Sequence, residues 1–557
     1  MTSAISAQVL KSRTFQEPWD ADMVLVNGDI LTVDSTDSVQ EAVAVKDGII
    51  GEVGTNDEIS ERIGRSTEVV DLKGKAATPG IIDSHLHLMI YGEQDLLYVN
   101  LRPPVTSIRD IQQVVKEAAS KTPKGEWIEG YGYIMNLEEG KLPEKYELDP
   151  VSPDNPVFLT SMDGHYGSCN QYALDEAGID ANFPDPPTGG VIVRDKNRNP
   201  TGLFYNHIAM NLVRRLIPKH TTEEYKKCLF YAYEDHIAAG ITSYHAALVA
   251  GEERYNAYKE IDLQSEMRAS IYYMSETLKD VDHAVNTIKP FSGKMVRFAG
   301  WKLQTDGTFL TAYTYNPHNG VTHTMANWTS KNLKEGILQL HKTGYQVKVH
   351  VVGDKAIDMT LDAIEYAVKS APRKDPRHRL EHLIIPTDDA LKRIAQNNIV
   401  VSYQPAMIYF GGEEAINLYG EERAQRFVRL RTLLDMGVTV CINTDSPTSK
   451  TYKPQLTLYS AVTRKTLRGM DFFPKEKISI QEALRCYTIN GAYASFEDDI
   501  KGSIEKGKLA DFVIWSHNMY KIRPERLLRM EAEMTIIGGV IKYRKDGTRI
   551  TVHKGTQ

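Results

Sequence analysis

The amino-acid sequence predicts an α/β protein: a (β/α)8 TIM-type barrel with a small β-sandwich domain built from both chain ends. Three observations predict this fold. Strand-like and helix-like patterns alternate through the middle of the chain, short β-rich runs bounded by turn dipeptides occupy both ends, and titratable residues follow several central strands. Strands that alternate with helices form a parallel sheet covered by helices, and eight such units close into a barrel.

The composition indicates which classes of partner to expect. The chain has 557 residues, of which 41% are hydrophobic and 25% are charged, as in ordinary soluble globular proteins. Its formal net charge of −7 comes without a basic stripe, which argues against nucleic acid and anionic membranes as partners. No apolar run approaches membrane-spanning length. The expected partner is therefore a small-molecule substrate.

Cysteine usage and the N-terminal residues indicate the cell compartment. Cys169, Cys228, Cys441 and Cys486 are far apart and form no CxxC pair. Dispersed cysteines in so long a chain are typical of reduced, buried thiols. The stretch up to Pro18 is polar and lacks the apolar core of a secretion signal. Both observations predict a cytoplasmic protein.

The two chain ends are predicted to fold together. Residues 1–20 are expected to form an irregular arm. In residues 21–78, β-rich runs stop at turn dipeptides such as Asn27-Gly28, which is typical of hairpins. Residues 499–557 repeat the pattern, for example around Gly538-Gly539. Neither segment is large enough to fold well alone, so we expect both to join in one β-sandwich domain.

The barrel itself is predicted over residues 79–498. Helix-period stretches such as Ile111–Lys121, Thr221–Ala239 and Ala356–Ser370 separate most of its strands. The eight predicted strands are Gly80–His85, Val157–Ser161, Ile241–His245, Val296–Leu303, Gln346–Val352, Arg379–Leu383, Ile399–Tyr403 and Val438–Asn443.

Three insertions make the barrel longer than the minimum, at about 90–150, 175–220 and 307–330. Each follows a predicted strand, at the face where barrels carry their active sites, so we expect them to form the walls of a pocket. The last insertion contains residues that could cover the pocket or could equally be plain surface. They are Tyr313, Tyr315, His318 and His323.

The most informative stretch of the barrel runs from Pro79-Gly80 to His85-Leu86-His87. Residues i and i+2 of a strand project to the same face, so His85 and His87 can aim their imidazoles at one point. Two converging neutral imidazoles are typical of a transition-metal site, most often zinc. Because such a pair alone is weak evidence, the prediction depends on further ligands elsewhere in the chain.

Further candidate ligands follow other predicted strands. Lys302 lies on the fourth strand, His350 on the fifth and His382 on the sixth, while Asp445 follows the eighth. Singly, each histidine would be a hydrogen-bonded core residue and Asp445 a helix N-cap. Together, at successive strand ends of one barrel, they predict one polar centre at its mouth.

These motifs resemble those of the amidohydrolase superfamily, in particular its YtcJ-like branch, which includes N-substituted formamide deformylases. The resemblance extends from about Asp22 to Tyr543 and implies the same barrel and β-sandwich. The matching stretches are Pro79–His87, Asp154–Leu159, Asp163-Gly164-His165, Gly240–Ser243, Lys302 with Asp306-Gly307, Leu380-Glu381-His382 and Gly502–Asp511.

The resemblance also implies a ligand set, residue by residue. His85 and His87 would bind a first divalent metal, and His350 and His382 a second. Asp445 would be the carboxylate shared by metal and catalytic water. Zinc is expected, although imidazole and carboxylate also suit manganese, iron and nickel.

Lys302 occupies the place where binuclear relatives carry a carbamylated lysine that bridges two metals. A carbamate has two oxygens and a negative charge, whereas an ammonium group would repel cations. Carbamylation needs a neutral amine, which a site crowded with cations favours. The alternative is an unmodified Lys302 that pairs with Asp306 or with the substrate. The number of metals per chain, one or two, stays open.

The chain departs from the branch at one place. Relatives typically carry a glutamate in the pattern PTG-x-x-x-E, whereas Pro200-Thr201-Gly202 is followed here by Asn206 and His207. Because of this departure, the substrate preference of close relatives cannot be carried over to this chain, whereas the expected metal chemistry is unaffected.

Hydrolysis is the chemistry that these groups suit. A divalent metal lowers the pKa of bound water from 15.7 to about 7, so that hydroxide is available at neutral pH. Asp445 is expected to act as general base and acid, taking a proton from water and delivering it to the departing amine. His165 and His245 are expected to face the barrel mouth, where a neutral imidazole can donate to an oxyanion or carbonyl. A hydrogen bond to a neighbouring loop is the alternative for each.

The predicted function is therefore metal-dependent hydrolysis of a carbon–nitrogen bond other than a peptide bond, in an amide or N-acyl small molecule. A one-metal deaminase of the same architecture is the runner-up, and Lys302 in the bridging place argues against it. A metal-bearing binding protein without catalysis is the third interpretation. Superfamily relatives are often dimers, which leaves a homodimer open.

Overall fold

Eight parallel strands form the central barrel of the computed structural model, which describes residues 15, 18–186, 188–317 and 325–546. Where the first and eighth strands approach each other, the amide N of Asp445 donates to the carbonyl O of His85 (3.1 Å). The predicted fold class is confirmed. In chain order, which is also their order around the barrel, the strands are Ile81–Leu86, Ile241–Val249, Arg268–Met274, Val296–Gln304, Gln346–Val351, Arg379–His382, Val400–Tyr403 and Val440–Ile442.

One predicted barrel strand is wrong. Val157–Ser161 lies outside the barrel, where it pairs in parallel with Ile128–Tyr133 and antiparallel with Tyr166–Cys169. It is an apolar strand buried at every position, so its local pattern is the same as that of a barrel strand. Only the pairing partners distinguish the two.

The barrel strand Arg268–Met274 is absent from the predicted set. All of its positions are buried, but two of them are polar and satisfied by tertiary partners. Arg268 donates to the Asp511 carboxylate through Nε (2.7 Å) and Nη2 (3.0 Å), and Ser270 Oγ donates to Glu497 (2.9 Å). These polar residues shorten the apolar run, which is why the sequence pattern is weak.

Helices pack around the barrel and also against the other sheets, as Ile108–Ala119 does against Val99–Asn100 and Ile128–Tyr133. The three helices named from the sequence are present with slightly different bounds, at Ile108–Ala119, Thr222–Ala238 and Asp354–Ser370. The second begins with a capping box between Thr221 and Glu224. The other α-helices within the described residues are Asn56–Ser60, Leu88–Leu96, Lys145–Leu148, Gln171–Ala177, Asn206–Arg214, Glu252–Glu260, Leu278–Thr287, Ser330–Lys342, Asp388–Gln396, Ala406–Tyr419, Glu421–Ala424, Leu430–Asp435, Pro454–Thr463, Ile480–Cys486 and Ile489–Ala494.

The predicted insertions at 90–150 and 175–220 are parts of one structure. Between the first and second barrel strands the chain builds a six-stranded mixed sheet with its own apolar clusters. Helix Asn206–Arg214 follows the last strand of this sheet and contributes to those clusters through Ala209, Met210 and Val213. In sheet order the strands are Val191–Arg194, Pro200–Tyr205, Tyr166–Cys169, Val157–Ser161, Ile128–Tyr133 and Val99–Asn100.

Both chain ends meet in the predicted β-sandwich. Phe512–Trp515, from the C-terminal end, pairs antiparallel with Ala76–Pro79, from the N-terminal end. Buried residues of the two sheets, among them Leu25 and Phe512, form one apolar cluster. The six-stranded sheet is Val540–Arg544, Ala532–Ile537, Phe512–Trp515, Ala76–Pro79, Asp29–Leu31 and Val39–Gln40, and the four-stranded sheet is Ile49–Gly54, Ala42–Lys46, Met23–Val26 and Glu68–Asp71.

Two further predictions can be compared with the structure only in part. Most of the predicted arm over residues 1–20 lies outside the described residues, as does the segment 318–324 of the third insertion with His318 and His323.

The four cysteines are buried and unbridged, in agreement with the prediction. None of the helices in the described ranges combines the length and the apolarity needed to cross a bilayer.

Candidate metal centre

His85, His87 and Asp445 converge at the mouth of the barrel. The first barrel strand is buried at every position and carries His85 near its end, and Asp445 follows the eighth strand. His87 Nε2 lies 3.1 Å from Asp445 Oδ1, and His85 Nε2 lies 3.5 Å from the same oxygen. The three donor atoms all lie within 4.8 Å of one another.

The backbone holds Asp445 in this position. Its φ of 56° is in the left-handed region, and its amide N donates to the carbonyl O of His85. Asp83 ties the same two strands together, because its carboxylate accepts from Thr444 Oγ1 (2.6 Å) and from the amide N of His85 (3.2 Å). The first and eighth strands are thereby joined beside the candidate ligands.

Glu381 orients His85 and was not predicted as a site residue. Its carboxylate bonds His85 Nδ1 on one side and Arg379 Nε on the other, and all three side chains are buried. With Nδ1 bonded to a carboxylate, the Nε2 lone pair is free to face Asp445, as in carboxylate–histidine–metal arrangements. The signal in the sequence is a pair of charged residues two apart within a buried strand, Arg379 and Glu381.

Electrostatics keep the carboxylates ionised and the imidazoles neutral. Burial would raise the pKa of Glu381, but Arg379 and Lys348 hold it well below the ordinary value. Burial would likewise raise the pKa of Asp445, but the imidazoles around it, that of His85 first, hold it below the ordinary value. Burial lowers the pKa of His85 strongly and that of His382 to about 4. Neutral imidazole and ionised carboxylate are the ligand forms that a cation requires.

The three converging residues fit a divalent cation. Asp445 Oδ1 is buried and accepts no hydrogen bond from any described residue, although two imidazole nitrogens face it. Leaving a buried carboxylate oxygen without a partner is costly, and a cation would satisfy it. Imidazole and carboxylate donors are those of catalytic zinc sites.

His350 and His382 line the same cavity but lie beside the compact group. The ring centroid of His382 is 4.8 Å from that of His85 and 4.4 Å from that of His350. His350 Nε2 contacts the carbonyl O of Gly307 at 2.9 Å. Among the described residues, the group whose ligand atoms lie within 4.8 Å of one another contains only His85, His87 and Asp445. A second metal on His350 and His382 therefore stays a prediction.

Lys302 lines the same cavity as the candidate ligands. It is 4% exposed, and its Nζ forms no hydrogen bond with any described residue. Burial lowers the pKa of Lys302 to about 8. The expected alternative pairing with Asp306 is not formed, because the Asp306 carboxylate accepts from the amides of Val352 (2.9 Å), Gly353 (2.8 Å) and Tyr313 (3.0 Å) instead.

His165 and His245 occupy different places. His165 lines the cavity, and its ring centroid lies 5.6 Å from that of His350. His245 is fully buried, with Nδ1 2.8 Å from Arg379 Nη1, and it is not among the residues that line the cavity. The expectation that His245 faces the mouth is wrong, because its strand continues to Val249 and leaves His245 deep in the barrel.

Asn206 and His207, at the departure from the PTG-x-x-x-E pattern, both lie beside His165. Asn206 Oδ1 is 3.4 Å from His165 Nδ1 and accepts from Thr311 Oγ1 (3.1 Å). His207 lines the cavity, with its ring centroid 5.2 Å from that of His165. Tyr315 is 55% exposed and donates to Asp358, so it does not cover the pocket.

A cavity of about 850 Å³ lies over these residues, with walls from the insertion and from the loops that follow the barrel strands. The site therefore combines a convergent set of metal donors with a cavity large enough for a small organic molecule. Parallel barrels bind substrate at this end of their strands. The fold and the site together define a metal-dependent hydrolase of the barrel class.

The chain belongs to the amidohydrolase family, whose model matches residues 68–543. It is 30% identical to N-substituted formamide deformylase from Arthrobacter pascens, over 95% of this chain and 99% of that protein. It is also 30% identical to the putative amidohydrolase YtcJ from Bacillus subtilis, over 91% of this chain and 96% of that protein. These matches confirm the family that the motifs resemble.

Solved structures agree with the fold. An uncharacterised metal-dependent hydrolase from Pyrococcus horikoshii superposes with a TM-score of 0.71 at 25% sequence identity, covering 90% of this chain and 99% of that one. Most of this chain therefore shares its fold with a protein of known structure.

Proposed function

We propose that this chain hydrolyses the carbon–nitrogen bond of an amide or N-acyl small molecule, with a divalent metal at the barrel mouth. The observation that carries the proposal is the convergence of His85, His87 and Asp445 beside a cavity of about 850 Å³. Similarity over nearly the whole chain to a protein named N-substituted formamide deformylase supports an N-acyl substrate, with formyl as the first acyl group to test.

His85, His87 and Asp445 would hold one cation, and zinc suits these donors. When bound, a divalent cation polarises a carbonyl and lowers the pKa of nearby water. His350 and His382, with a carbamylated Lys302, would hold a second one. The buried and unpartnered Lys302 Nζ supports this second site, because a free amine is the group that carbamylation requires.

Asp445 would move the proton. Water oxygen bonds to the carbonyl carbon while Asp445 takes one water proton, and the carbon–nitrogen bond then breaks as this proton passes to the departing nitrogen. One amide and one water become one carboxylic acid and one amine. The ionised state of Asp445 in the free protein, which the neighbouring imidazoles favour, is the state that accepts a proton.

His165 would stabilise the carbonyl oxygen as charge develops on it. Burial lowers the pKa of His165, so the ring is neutral at physiological pH and can donate one hydrogen bond. Its place on the cavity wall next to His350 is compatible with that role.

A panel of N-formyl and N-acetyl amides tests the proposal with protein loaded with zinc, treated with chelator and reloaded. We expect acid and amine in equal amounts, loss of activity on chelation and recovery on reloading. Metal content per chain, determined by elemental analysis, distinguishes one cation from two. Activity that survives chelation, or ammonia released from ring amines instead of acid from amides, would contradict the proposal.

A further inference from the structure

Helix Asn206–Arg214 presents a polar stripe to the cavity. His207, Asn211 and Arg214 line the cavity and stand at positions i, i+4 and i+7, which lie on one face of a helix. The opposite face packs into the apolar core of the inserted sheet. The helix is therefore anchored, and its polar face belongs to the cavity wall.

The stripe continues a row of imidazoles that starts at the metal centre. From His85 the ring centroids follow one another at 4.8, 4.4, 5.6 and 5.2 Å. The rings in this row are those of His85, His382, His350, His165 and His207.

Arg214 ends the stripe, about 10 Å beyond His207 along the helix axis. A molecule whose reacting bond lies at the metal centre would extend along this wall toward Arg214.

The Arg214 guanidinium has no hydrogen-bond or ion-pair partner in the part of the chain that the structure describes. Two other cationic groups of the cavity wall are paired within the chain, whereas Arg215 and Lys450, which also line the cavity, form no ion pair with a described residue. Arg254 Nη2 is 2.7 Å from Glu93 Oε2, and His220 Nε2 is 3.5 Å from Glu129 Oε1. Arg214 is therefore a permanent charge that faces the cavity without a counter-ion in contact.

Arg214 lines the same cavity as the metal centre. Burial raises the pKa of Tyr131, and among the smaller influences on this phenol are the charges of both Arg214 and Asp445. Tyr131 lines the cavity and donates to the carbonyl O of Met162 (3.2 Å). Arg214, Tyr131 and Asp445 all line this one cavity.

Glu276, which lines the same cavity, is an acid to consider as an internal partner for Arg214. Its carboxylate accepts from Asn211 Nδ2 at 2.5 Å, and it forms no ion pair with Arg214 within 4.0 Å. Burial raises the pKa of Glu276 to about 7, with Arg214 opposing that rise. Glu276 is thus bonded to Asn211 and does not contact the Arg214 guanidinium.

We propose that Arg214 binds an anionic group, a carboxylate in the first instance, at the end of the substrate remote from the hydrolysed bond. This inference rests on the proposed function and deepens it, since it assigns the substrate class: N-acyl compounds that carry a distal carboxylate. Arginine suits the role because its planar fork of donors matches a carboxylate bidentately.

Paired substrates test the inference. ω-(N-formylamino)alkanoates of four to ten carbons are compared with the corresponding ω-(N-formylamino)alkanamides, which have the same length and no charge. We expect the wild type to favour the carboxylates at the longer lengths. Arg214→Gln should raise KM for these carboxylates about 10- to 100-fold, leave kcat nearly unchanged and leave the amides unaffected.

Two variants serve as controls. Arg214→Lys keeps the charge without the bidentate fork and should recover part of the preference. Arg215→Gln removes the next charge, which is exposed at the rim of the same cavity, and should keep the preference. Equal loss of the preference in Arg214→Gln and Arg215→Gln would overturn the inference, because the effect would then come from the overall positive potential of the cavity. No loss in Arg214→Gln would overturn it as well, because Arg214 would then make no contribution.

A binding measurement separates this inference from the proposed function. Calorimetric titration of the metal-loaded protein with octanoate and with octanamide needs no turnover. Tighter binding of octanoate that Arg214→Gln abolishes supports the inference even if no formamide is hydrolysed, a result that would contradict the proposed function alone. Equal binding of both probes would overturn the inference while hydrolysis of the neutral amides still supports the proposed function.

Discussion

Two groups of histidines in this barrel use their ring nitrogens in opposite ways. At the mouth, His85 and His87 turn Nε2 toward an Asp445 oxygen that accepts no hydrogen bond from a described residue. At the other end of the barrel, the amide N of Val347 donates to His378 Nδ1 (3.1 Å), and His378 Nε2 lies 2.8 Å from His341 Nδ1. His341 Nε2 in turn lies 2.7 Å from the carbonyl O of Ala371.

The chain of bonds at His341 and His378 determines where each proton lies. Because the amide of Val347 donates to His378 Nδ1, the proton of His378 is on Nε2 and points at His341 Nδ1. His341 must then carry its proton on Nε2, toward Ala371. Every ring nitrogen of this pair is satisfied inside the fold, whereas the mouth keeps donor atoms for a ligand. The difference separates a structural histidine pair from a ligand-binding one.

The largest effect is expected from a substitution at the barrel mouth. Asp445→Asn removes the proton acceptor while the imidazoles stay in place, so turnover should fall about 10²- to 10⁴-fold. Steady-state kinetics on the best amide from the panel and metal content per chain are measured together. We expect partial retention of metal and an unchanged melting temperature. Near-full activity of this variant would exclude Asp445 as the proton carrier.

The second test concerns the residue that orients His85. Glu381→Gln removes the charge that bonds His85 Nδ1, and metal affinity should fall about 10- to 100-fold. Competition with a chromophoric chelator measures the affinity. Glu497→Gln is the matched control, because Glu497 is also buried and paired with a cation, Lys501, but bonds no candidate metal ligand. It should destabilise the fold and leave metal affinity unchanged; equal loss in both variants would refute the orienting role.

The smallest effect is expected from the structural pair. Burial lowers the pKa of His378 to about 3, with His341 and Arg373 acting in the same direction. The unfolded chain takes up this proton near pH 6.5 and the folded protein only near pH 3. The contribution of His378 to the free energy of unfolding is therefore fully present above pH 6.5. It decreases as the pH falls, by about 2 kcal/mol between pH 6.5 and 5.

Chemical denaturation of wild type and His378→Asn across this range measures the contribution. The variant should be less stable at pH 8 and should lose less stability on acidification than the wild type. His517→Asn replaces an exposed histidine and should leave the pH dependence unchanged. An identical pH dependence in His378→Asn and the wild type would show that the pair does not carry the effect.

Local patterns were sufficient for much of the fold and of the site. The HxH pair at His85 and His87 and the later Lys302, His382 and Asp445 were found because each stands at or near the end of a strand. The strands of both chain ends were found because turn dipeptides separate short β-rich runs, and their joining followed from the size of each segment.

Local patterns failed where two segments look alike. Val157–Ser161 and Arg268–Met274 are both strands buried at every position. The residues of neither strand indicate which other strand it pairs with. The position of His245 deep inside the barrel could not be predicted either, because the sequence does not show that its strand continues to Val249.

The sequence by itself determined the fold class, the family and the candidate ligands, because strand and helix periods and ligand spacing are properties of neighbouring residues. Only the tertiary structure decided that Glu381 orients His85, that His245 lies below the cavity and that Arg214 faces it unpaired. Each of these depends on contacts between residues far apart in the chain, and hydrogen bonds and burial are set by that three-dimensional neighbourhood.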